Sequence, residues 1–272
     1  MSLIFDRPMV MGILNITPDS FSDGGCFNKP DLAMAHVERM VKEGVDIIDV
    51  GGESTRPGAA SVSEEDEVGR VAPLAEAIRA RFDVPISVDT SKPAVMRAAV
   101  AAGADMLNDV RALREDGALE AAAELGVPVC LMHMQGEPRS MQKAPQYDDV
   151  IVDVLQFLRE RINICQTAGI TKDKLLVDPG FGFGKSLSHN LTLLKELERF
   201  KSLELPLLVG VSRKSMIGAV LDKPVEQRLY GGLAAVSLAL WQGAKIIRTH
   251  DVAATKDVVN LCQEVMNVGI KD

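Results

Sequence analysis

The chain has 272 residues, of which 47% are hydrophobic and 25% are charged, and its formal net charge is −8. This composition is typical of a globular protein with a large core and excludes a disordered chain, and no apolar stretch approaches the ~18 residues of a membrane-spanning helix. The acidic net charge argues against nucleic-acid binding, which needs a basic surface that displaces counterions from phosphate groups.

Short apolar runs alternate with helix-like segments along the whole chain, which is the pattern of a parallel β-sheet covered by helices. Eight strands are predicted, at residues 10–15, 46–51, 85–90, 105–110, 128–133, 174–179, 206–211 and 245–250. A helix is predicted after each strand, at residues 31–43, 64–82, 92–103, 117–126, 147–168, 188–202, 229–242 and 252–267. Because eight such units in about 250 residues match the (β/α)₈ barrel, we predict an α/β protein with one TIM-barrel domain over residues 1–272.

Local sequence signals mark the ends of several predicted helices. Glycine, the residue that best accepts a left-handed C-cap, follows or ends five of them, at Gly44, Gly103, Gly126, Gly169 and Gly243. Ser63, with Asp66 three residues later, predicts the start of the second helix through a capping box. The two longest stretches without helix are rich in Gly, Ser, Thr, Pro and Asp, and we predict that residues 16–30 and 52–63 form mobile lids.

The cysteines and the first residues bear on the cellular compartment. The four cysteines lie far apart and include no C-x-x-C pair, so we expect neither a zinc site nor a disulfide framework. Asp6 and Arg7 stand where a signal peptide would be apolar, so export is not expected. Together these features predict a cytoplasmic protein.

Polar residues end almost every predicted strand. In a (β/α)₈ barrel the chemistry lies at the carboxyl ends of the strands, so these residues are expected to face one cavity. They are Asn15, Glu53, Asp89, Asn108, Asp109, His133, Asp178, Arg213, Lys214, Arg248 and His250. The last four are basic and follow strands 7 and 8, where such barrels commonly bind phosphate, so we expect an anion site there.

Two carboxylates in this set end apolar runs. Asp89 closes SVD and Asp178 closes LLVD, and a buried carboxylate needs hydrogen-bond donors if it is to stay ionised. Together with Asn108, they suit a ligand that presents an edge of N–H donors beside a carbonyl, such as an aminopyrimidinone. The sequence does not decide whether His133 contacts the ligand.

The segment GFGFGKS at residues 180–186 has the look of a phosphate-binding loop. The motif G-x-x-x-x-G-K-S would need glycine where Pro179 stands, so the match fails. GVSRK at residues 210–214 lacks the final glycine of a nucleophile elbow, so Ser212 is not expected to be a hydrolase nucleophile.

Eight motifs occur in the order and spacing of one enzyme family, namely GILNITPDSFSDGG, DVGGESTRPGA, SVDTSK, NDV, LMHMQG, DPGFGFGK, GVSRKSMIG and RTHDV. In this set the chain closely resembles the bacterial dihydropteroate synthases of the folate pathway, from Pro8 to about Thr255. The resemblance implies a (β/α)₈ barrel, usually a homodimer. It also implies an enzyme that joins 4-aminobenzoate to 6-hydroxymethyl-7,8-dihydropterin diphosphate and releases pyrophosphate in the presence of Mg²⁺.

The resemblance implies roles for individual residues. A pterin pocket is implied for Asp89, Asn108, Met132, Asp178, Phe183, Gly210 and Lys214. A diphosphate site is implied for Asn15, Thr55, Arg248 and His250, with Asn15 also reaching Mg²⁺. A site for 4-aminobenzoate, and for the sulfonamides that copy it, is implied for Phe21, Arg56, Pro57, Lys214 and Ser215. The residues expected to take part in catalysis are Asp89, Lys214, Asp23 and Arg56.

An SN1-like substitution is expected, because pyrophosphate leaves a methylene group whose positive charge the electron-rich ring can share. Three alternatives stay open. A lysine at a barrel strand end can form a Schiff base with a carbonyl substrate, so a lyase that uses Lys214 is one alternative. The others are a pterin-dependent methyltransferase with a corrinoid partner and a pterin-binding paralogue without catalytic activity.

Overall fold

The structure of the protein, a computed structural model, describes residues 3–16, 29–53, 62–136, 141 and 145–269. Most of the predicted lids, 16–30 and 52–63, lies outside these ranges. The predicted site residues that also lie outside the described residues are Phe21, Asp23, Thr55, Arg56 and Pro57.

Eight parallel strands form the sheet, as the alternating sequence pattern predicted. They are β1 (Met9–Asn15), β2 (Ile47–Gly51), β3 (Ile86–Asp89), β4 (Met106–Asp109), β5 (Val129–Met132), β6 (Leu175–Asp178), β7 (Leu208–Val209) and β8 (Ile246–Thr249). Their order is β6-β5-β4-β3-β2-β1-β8-β7, and a parallel bridge from Val177 to Leu207 connects the two edges. The predicted (β/α)₈ barrel is confirmed.

Helices surround the barrel and follow the strands. The described α-helices are α1 (Lys29–Lys42), α2 (Glu64–Arg81), α3 (Pro93–Ala101), α4 (Ala118–Leu125), α5 (Val150–Thr167), α6 (Leu187–Lys195), α7 (Ser215–Leu221), α8 (Leu229–Trp241) and α9 (Val252–Asn267). Within the described ranges, no helix is long and apolar enough to cross a membrane.

Two helical segments differ from the sequence-based expectation. The predicted helix 188–202 ends earlier, as α6, and continues into a 3₁₀ helix at Leu197–Leu203. The helix α7 was not predicted, because it has only seven residues and contains Gly218, and short segments with an internal glycine have weak helix propensity.

The structure contains the cap at Ser63 and the glycine ends that the sequence predicted. The Ser63 hydroxyl accepts a hydrogen bond from the backbone N–H of Asp66 and so caps α2. The five glycines expected at helix C-termini all have positive φ, between 62° at Gly126 and 105° at Gly103. These local signals fix where each helix ends and where the next strand begins.

The two larger parts of the core have different roles. The larger layer lies between the strands and the helices around them. A second layer fills the barrel interior toward its amino-terminal end and consists of Met9, Met11, Ile47, Met106, Cys130, Leu176, Leu208 and Ile246. Each fully buried side chain of this size stabilises the fold by about 1.5–3 kcal/mol. The apolar filling leaves the carboxyl end of the barrel for polar groups.

Candidate active site

Strand register brings the predicted site residues of neighbouring strands together. Asn15 pairs with Gly51, Gly51 pairs with Asp89, and Asp89 pairs with Asn108. A Cβ atom at Gly51 would lie 3.3 Å from Asn15 Oδ1 and 3.6 Å from Asp89 Cβ. Because Gly51 has no side chain, the side chains of Asn15 and Asp89 can both approach it closely at the carboxyl end of the barrel.

A partly buried guanidinium group connects two buried carboxylates at this level of the barrel. Arg248 on β8 donates from Nη2 to Asp89 Oδ2 at 2.8 Å and from Nε to Asp49 Oδ2 at 2.7 Å. Asn108 Nδ2 donates to the same Asp49 oxygen at 3.1 Å. Asp49 therefore orients both Arg248 and Asn108, although the sequence had not indicated it as a site residue.

The environment of the two predicted carboxylates changes their pKa values. Burial raises the pKa of Asp89 to about 7. The charge of Arg248 opposes this rise, and the charge of Asp49 adds to it. Burial raises the pKa of Asp178 to about 6, against the backbone N–H of Gly180, which donates to Asp178 Oδ1 at 2.7 Å. The pKa of Arg248 is raised despite its burial, because Asp49 and Asp89 stabilise its charge. Arg248 is therefore charged at any physiological pH.

Lys214 and Phe183 form one wall of the site. The Lys214 ammonium lies 4.3 Å from the centre of the Phe183 ring, which is a cation–π geometry. Burial and the charge of Arg248 lower the pKa of Lys214 to about 8. Phe183 packs against an apolar cluster that contains Met132 and Met134. This arrangement offers a flat apolar surface beside a cation.

Three buried oxygen atoms have no hydrogen-bond partner among the described residues. They are Asp49 Oδ1, Ser87 Oγ and Asp89 Oδ1. Asp49 and Ser87 are paired in the register of β2 and β3, and Asp89 follows on the same side of β3. Because buried polar atoms are nearly always hydrogen-bonded in folded proteins, these oxygens indicate a place for a ligand or for water that donates hydrogen bonds.

Arg213 and Lys214, which were expected to face one cavity, point in different directions. Lys214 lies over Phe183 at the wall of the site, whereas Arg213 lies at the surface. Arg213 is exposed and pairs with Asp251 at 2.5 Å. Its φ is 58°, so the backbone turns between the two neighbouring cations. His250 Nδ1 lies 3.1 Å from Ser212 Oγ.

The remaining predicted residues lie close to this wall. Gly210 is adjacent to Arg248, since a Cβ atom on it would be 3.8 Å from Arg248 Cβ. Ser215 is the first residue of α7 and is exposed, directly after Lys214. The described part of the site thus combines carboxylate acceptors, an apolar wall and two partly buried cations.

The family model described as "Pterin binding enzyme" matches residues 11–250 of the chain. The chain belongs to the pterin-binding enzymes. Among the curated proteins similar to this pterin-binding enzyme is the dihydropteroate synthase of Escherichia coli strain K12, 57% identical over 266 residues that cover 98% of this chain and 94% of the relative.

Solved structures match this pterin-binding enzyme over nearly the whole chain. The dihydropteroate synthase of Xanthomonas albilineans with 4-aminobenzoic acid is 54% identical with a TM-score of 0.93, and the match covers 98% of this chain and 96% of that one. The dihydropteroate synthase of Yersinia pestis in complex with a sulfonamide drug is 54% identical with a TM-score of 0.92, and the match covers 97% and 96% of the two chains.

Two buried residues of this pterin-binding enzyme were missed in the sequence. Asp49 stands within the apolar strand IIDVG, and Lys185 lies in the failed phosphate-loop motif at residues 180–186 and is 3% exposed. A charged residue inside an otherwise apolar buried strand is costly without partners, and this could have marked Asp49 as a site residue.

Proposed function

We propose that this pterin-binding enzyme is a dihydropteroate synthase, which condenses 6-hydroxymethyl-7,8-dihydropterin diphosphate with 4-aminobenzoate and releases pyrophosphate. The observation that carries the proposal is the buried cluster of Asp49, Asp89 and Asn108 with Arg248, which leaves acceptor oxygens without partners in a chain 57% identical to a dihydropteroate synthase. A pterin offers N–H donors to such acceptors. The fold alone would not support the proposal, because (β/α)₈ barrels carry many activities.

The pterin ring is proposed to bind between the carboxylates and the apolar wall. Asp89, Asp178 and Asn108 accept or share hydrogen bonds with its polar edges, and Lys214 donates to its carbonyl side. Phe183 and Met132 contact the faces of the ring. Gly210, which has no side chain, leaves room for the ring beside Arg248. Hydrogen bonds to ionised groups contribute about 1.5–3 kcal/mol each, so the two aspartates dominate the pterin affinity.

The diphosphate is proposed to lie near Asn15, Thr55, Arg248 and His250. Within the described residues, no group of three or more His, Cys, Asp or Glu side chains could hold a metal ion alone. Mg²⁺ usually takes one or two protein oxygens together with substrate phosphates and waters, and the side-chain oxygen of Asn15, at the carboxyl end of β1 beside Gly51, fits that mode. Asn15 would hold Mg²⁺, which supplies positive charge to the departing diphosphate.

The reaction is proposed to proceed by an SN1-like substitution. The bond between the methylene carbon and the diphosphate oxygen breaks, and its electron pair leaves with pyrophosphate. The lone pair of the aromatic amine then forms the new carbon–nitrogen bond, and the nitrogen loses its proton late, without a dedicated base. Ionised Asp89 stabilises the positive charge that the ring shares, while the positive charge of Arg248 favours the leaving anion.

The second substrate is proposed to bind beside Lys214 and Ser215, at the start of α7. Phe21, Asp23, Arg56 and Pro57 are proposed to complete this site from residues 16–30 and 52–63, and their role as lids stays a prediction. A sulfonamide would occupy the same place. The solved structures of similar enzymes with 4-aminobenzoic acid and with a sulfonamide drug support this part of the proposal.

A homodimer in the cytoplasm is also part of the proposal. Large apolar side chains are exposed on α8 and α9, at Tyr230, Leu238, Trp241, Leu261 and Val265. Exposed apolar side chains on two helices that pack against each other support a protein–protein contact. The thiols of Cys130, Cys165 and Cys262 are free, which is consistent with a reducing compartment. The mass in solution, measured by light scattering, tests the dimer.

The deciding experiment measures pyrophosphate release from the pterin diphosphate with and without 4-aminobenzoate, with the product identified by mass spectrometry. We expect release to depend on the amine and on Mg²⁺, and to yield 7,8-dihydropteroate. Binding of the pterin without any amine-dependent release would contradict the proposal and favour a catalytically silent protein. Borohydride trapping of an aldehyde on Lys214 would instead support a Schiff-base lyase.

A further inference from the structure

The loop that follows β6, residues 179–186, covers a buried lysine. Lys185 is 3% exposed, and its ammonium nitrogen lies beneath the loop. Its Nζ is 2.9 Å from His133 Nδ1, 2.9 Å from the carbonyl oxygen of Gly180 and 3.1 Å from the carbonyl oxygen of Phe183. An ammonium group has three N–H donors, and these three acceptors match them.

The contact with His133 defines the state of the imidazole. Burial lowers the pKa of Lys185 to about 7, and in its charged form Lys185 only donates. With the charged lysine, His133 Nδ1 accepts and the proton of the neutral ring sits on Nε2. Burial and the charge of Lys185 lower the pKa of His133 to about 2, so the ring stays neutral. His133 is therefore an acceptor for Lys185, which accounts for its place at the end of β5.

The loop lies directly against the end of β5. A Cβ atom at Gly180 would be 1.9 Å from the carbonyl oxygen of His133, and one at Gly184 would be 2.3 Å from that of Gln135. Both glycines have positive φ, 72° and 61°. Only glycine fits either position. The close packing of the loop against β5 also places the Gly180 carbonyl oxygen at hydrogen-bond distance from Lys185 Nζ.

The two residues whose carbonyls bind Lys185 also act on the pterin pocket. The Gly180 N–H donates to Asp178 Oδ1 at 2.7 Å, and the Phe183 ring contacts the Lys214 ammonium. The backbone of this loop therefore joins Lys185 to a carboxylate, to the apolar wall and to the wall's cation. Lys185 itself lies behind these groups.

We propose that Lys185 is a positioning residue for pterin binding. Its ammonium ties the carbonyls of Gly180 and Phe183 to His133, and it thereby holds Asp178 and the Phe183 ring in the geometry that receives the pterin. The inference rests on the proposed function for the identity of the ligand. The GFGFGK segment thus uses its lysine from inside the protein to organise a loop, where a phosphate-binding loop would present it to a ligand.

The test compares Lys185→Met with Lys195→Met. Lys195 is the last residue of α6 and 81% exposed, so its variant controls for the loss of one lysine. We expect Lys185→Met to raise both the Kd for the hydroxymethyl-dihydropterin and the KM for its diphosphate by about tenfold, equivalent to ~1.4 kcal/mol. The KM for the aromatic amine should change by less than about threefold, and Lys195→Met should match the unaltered protein. A Kd within about twofold of the unaltered protein, or an equal rise for both substrates, overturns the proposal.

A pair of substitutions at His133 keeps the test valid if Lys185→Met does not fold. His133→Asn retains an acceptor near the position of Nδ1, and His133→Leu removes it. We expect His133→Leu alone to weaken pterin binding, by several-fold, and equal affinities in the two variants overturn the proposal. Because the pterin Kd is measured without turnover, it separates this test from the proposed function, which fails if the unaltered protein binds the pterin but releases no pyrophosphate.

Discussion

Arg248 and Asp89, from the last and third strands of the barrel, form a partly buried ion pair in which Nη2 lies 2.8 Å from Oδ2. Despite this partner, burial and the neighbouring Asp49 keep the pKa of Asp89 at about 7. The second oxygen of Asp89 has no partner within the described ranges. Asp89 therefore changes its charge near neutral pH, at the place proposed for the pterin.

The affinity for the pterin should consequently depend on pH in two directions. Below about pH 7 Asp89 becomes protonated and loses its negative charge, and above about pH 8 Lys214 loses its positive charge. We expect the tightest binding between these values. The measurement is the Kd for the hydroxymethyl-dihydropterin, which lacks the titrating diphosphate, between about pH 5 and pH 9.

The control for the acidic side is Asp89→Asn. This variant should bind weakly at every pH and lose the transition near pH 7, leaving the effect of Asp178, whose pKa is about 6. A Kd that is constant from about pH 6 to pH 9 in the unaltered protein would show that neither charge contributes to binding.

Asp89→Asn should also change activity and stability in opposite directions. We expect turnover to fall by about two orders of magnitude or more, because the ionised carboxylate no longer stabilises the cationic ring. The ligand-free variant should melt at a higher temperature above about pH 7, because it no longer buries an ionised carboxylate. Calorimetry and steady-state rates on one preparation test both parts; near-normal turnover would refute the electrostatic role.

The sign of this stability effect follows from linkage. The folded pKa of Asp89 is raised, to about 7, so between the ordinary carboxyl value and pH 7 the folded state holds a proton that the unfolded state has lost. This contribution to the free energy of unfolding therefore declines as pH rises through that window and stays low above pH 7. The decline attributable to this group should be absent in Asp89→Asn.

Asp49 offers a test of a residue that acts through its neighbours. We expect Asp49→Asn to raise the KM for the pterin diphosphate by about tenfold, because the oxygen that orients Arg248 and Asn108 loses its negative charge. The matched control is Asp46→Asn, since Asp46 precedes the same strand but pairs with Arg7 and Lys256 at the other end of the barrel. The control should lower the melting temperature and leave the KM unchanged; similar KM values in both variants would contradict the role of Asp49.

Sulfonamide inhibition tests the proposed site of the second substrate. We expect a sulfonamide to compete with 4-aminobenzoate and to leave the Kd for the pterin nearly unchanged, because the two ligands are proposed to occupy different sides of Lys214. Steady-state rates at several concentrations of both compounds give the type of inhibition. Benzenesulfonamide, which lacks the 4-amino group, serves as the control. Full turnover at micromolar sulfonamide would count against the proposal.

The architecture could be predicted because local signals and the global pattern agree. Each strand is a short apolar run, and the glycines at helix ends adopt the left-handed conformation that the sequence suggested. The helix α7 could not be predicted in this way, since it is stabilised by packing: Met216 and Ile217 are buried, whereas its sequence is short and contains Gly218.

For the site, the sequence predicts which residues stand at the strand ends but not which of them contact one another. The sequence places Arg248 at the end of β8, but a long side chain can reach several partners, and only the structure shows its contacts with Asp49 and Asp89. Arg213 and Lys214 are adjacent in sequence and diverge in space because the chain turns at a positive φ. Such contacts depend on side-chain direction, which strand periodicity does not determine.

A partly buried ion cluster joins Lys92, the residue before α3, to the residues on either side of 54–61. Lys92 Nζ lies 2.6 Å from Glu53 Oε2, 2.6 Å from Glu67 Oε2 and 2.8 Å from the carbonyl oxygen of Val62. Glu67 is 1% exposed. Although burial opposes the charge, Glu53 and Glu67 raise the pKa of Lys92, so the lysine stays charged.

Removing Lys92 should therefore weaken the fold and the second substrate site together. We expect Lys92→Met to lower the free energy of unfolding by about 2 kcal/mol, because Glu67 is left buried without a cation, and to raise the KM for the aromatic amine more than that for the pterin diphosphate. Lys42→Met is the matched control, since Lys42 pairs with Glu38 on the exposed surface of α1, where such pairs contribute little. Urea unfolding and steady-state rates measure both effects, and equal stability of the two variants would show that the Lys92 cluster does not stabilise the protein.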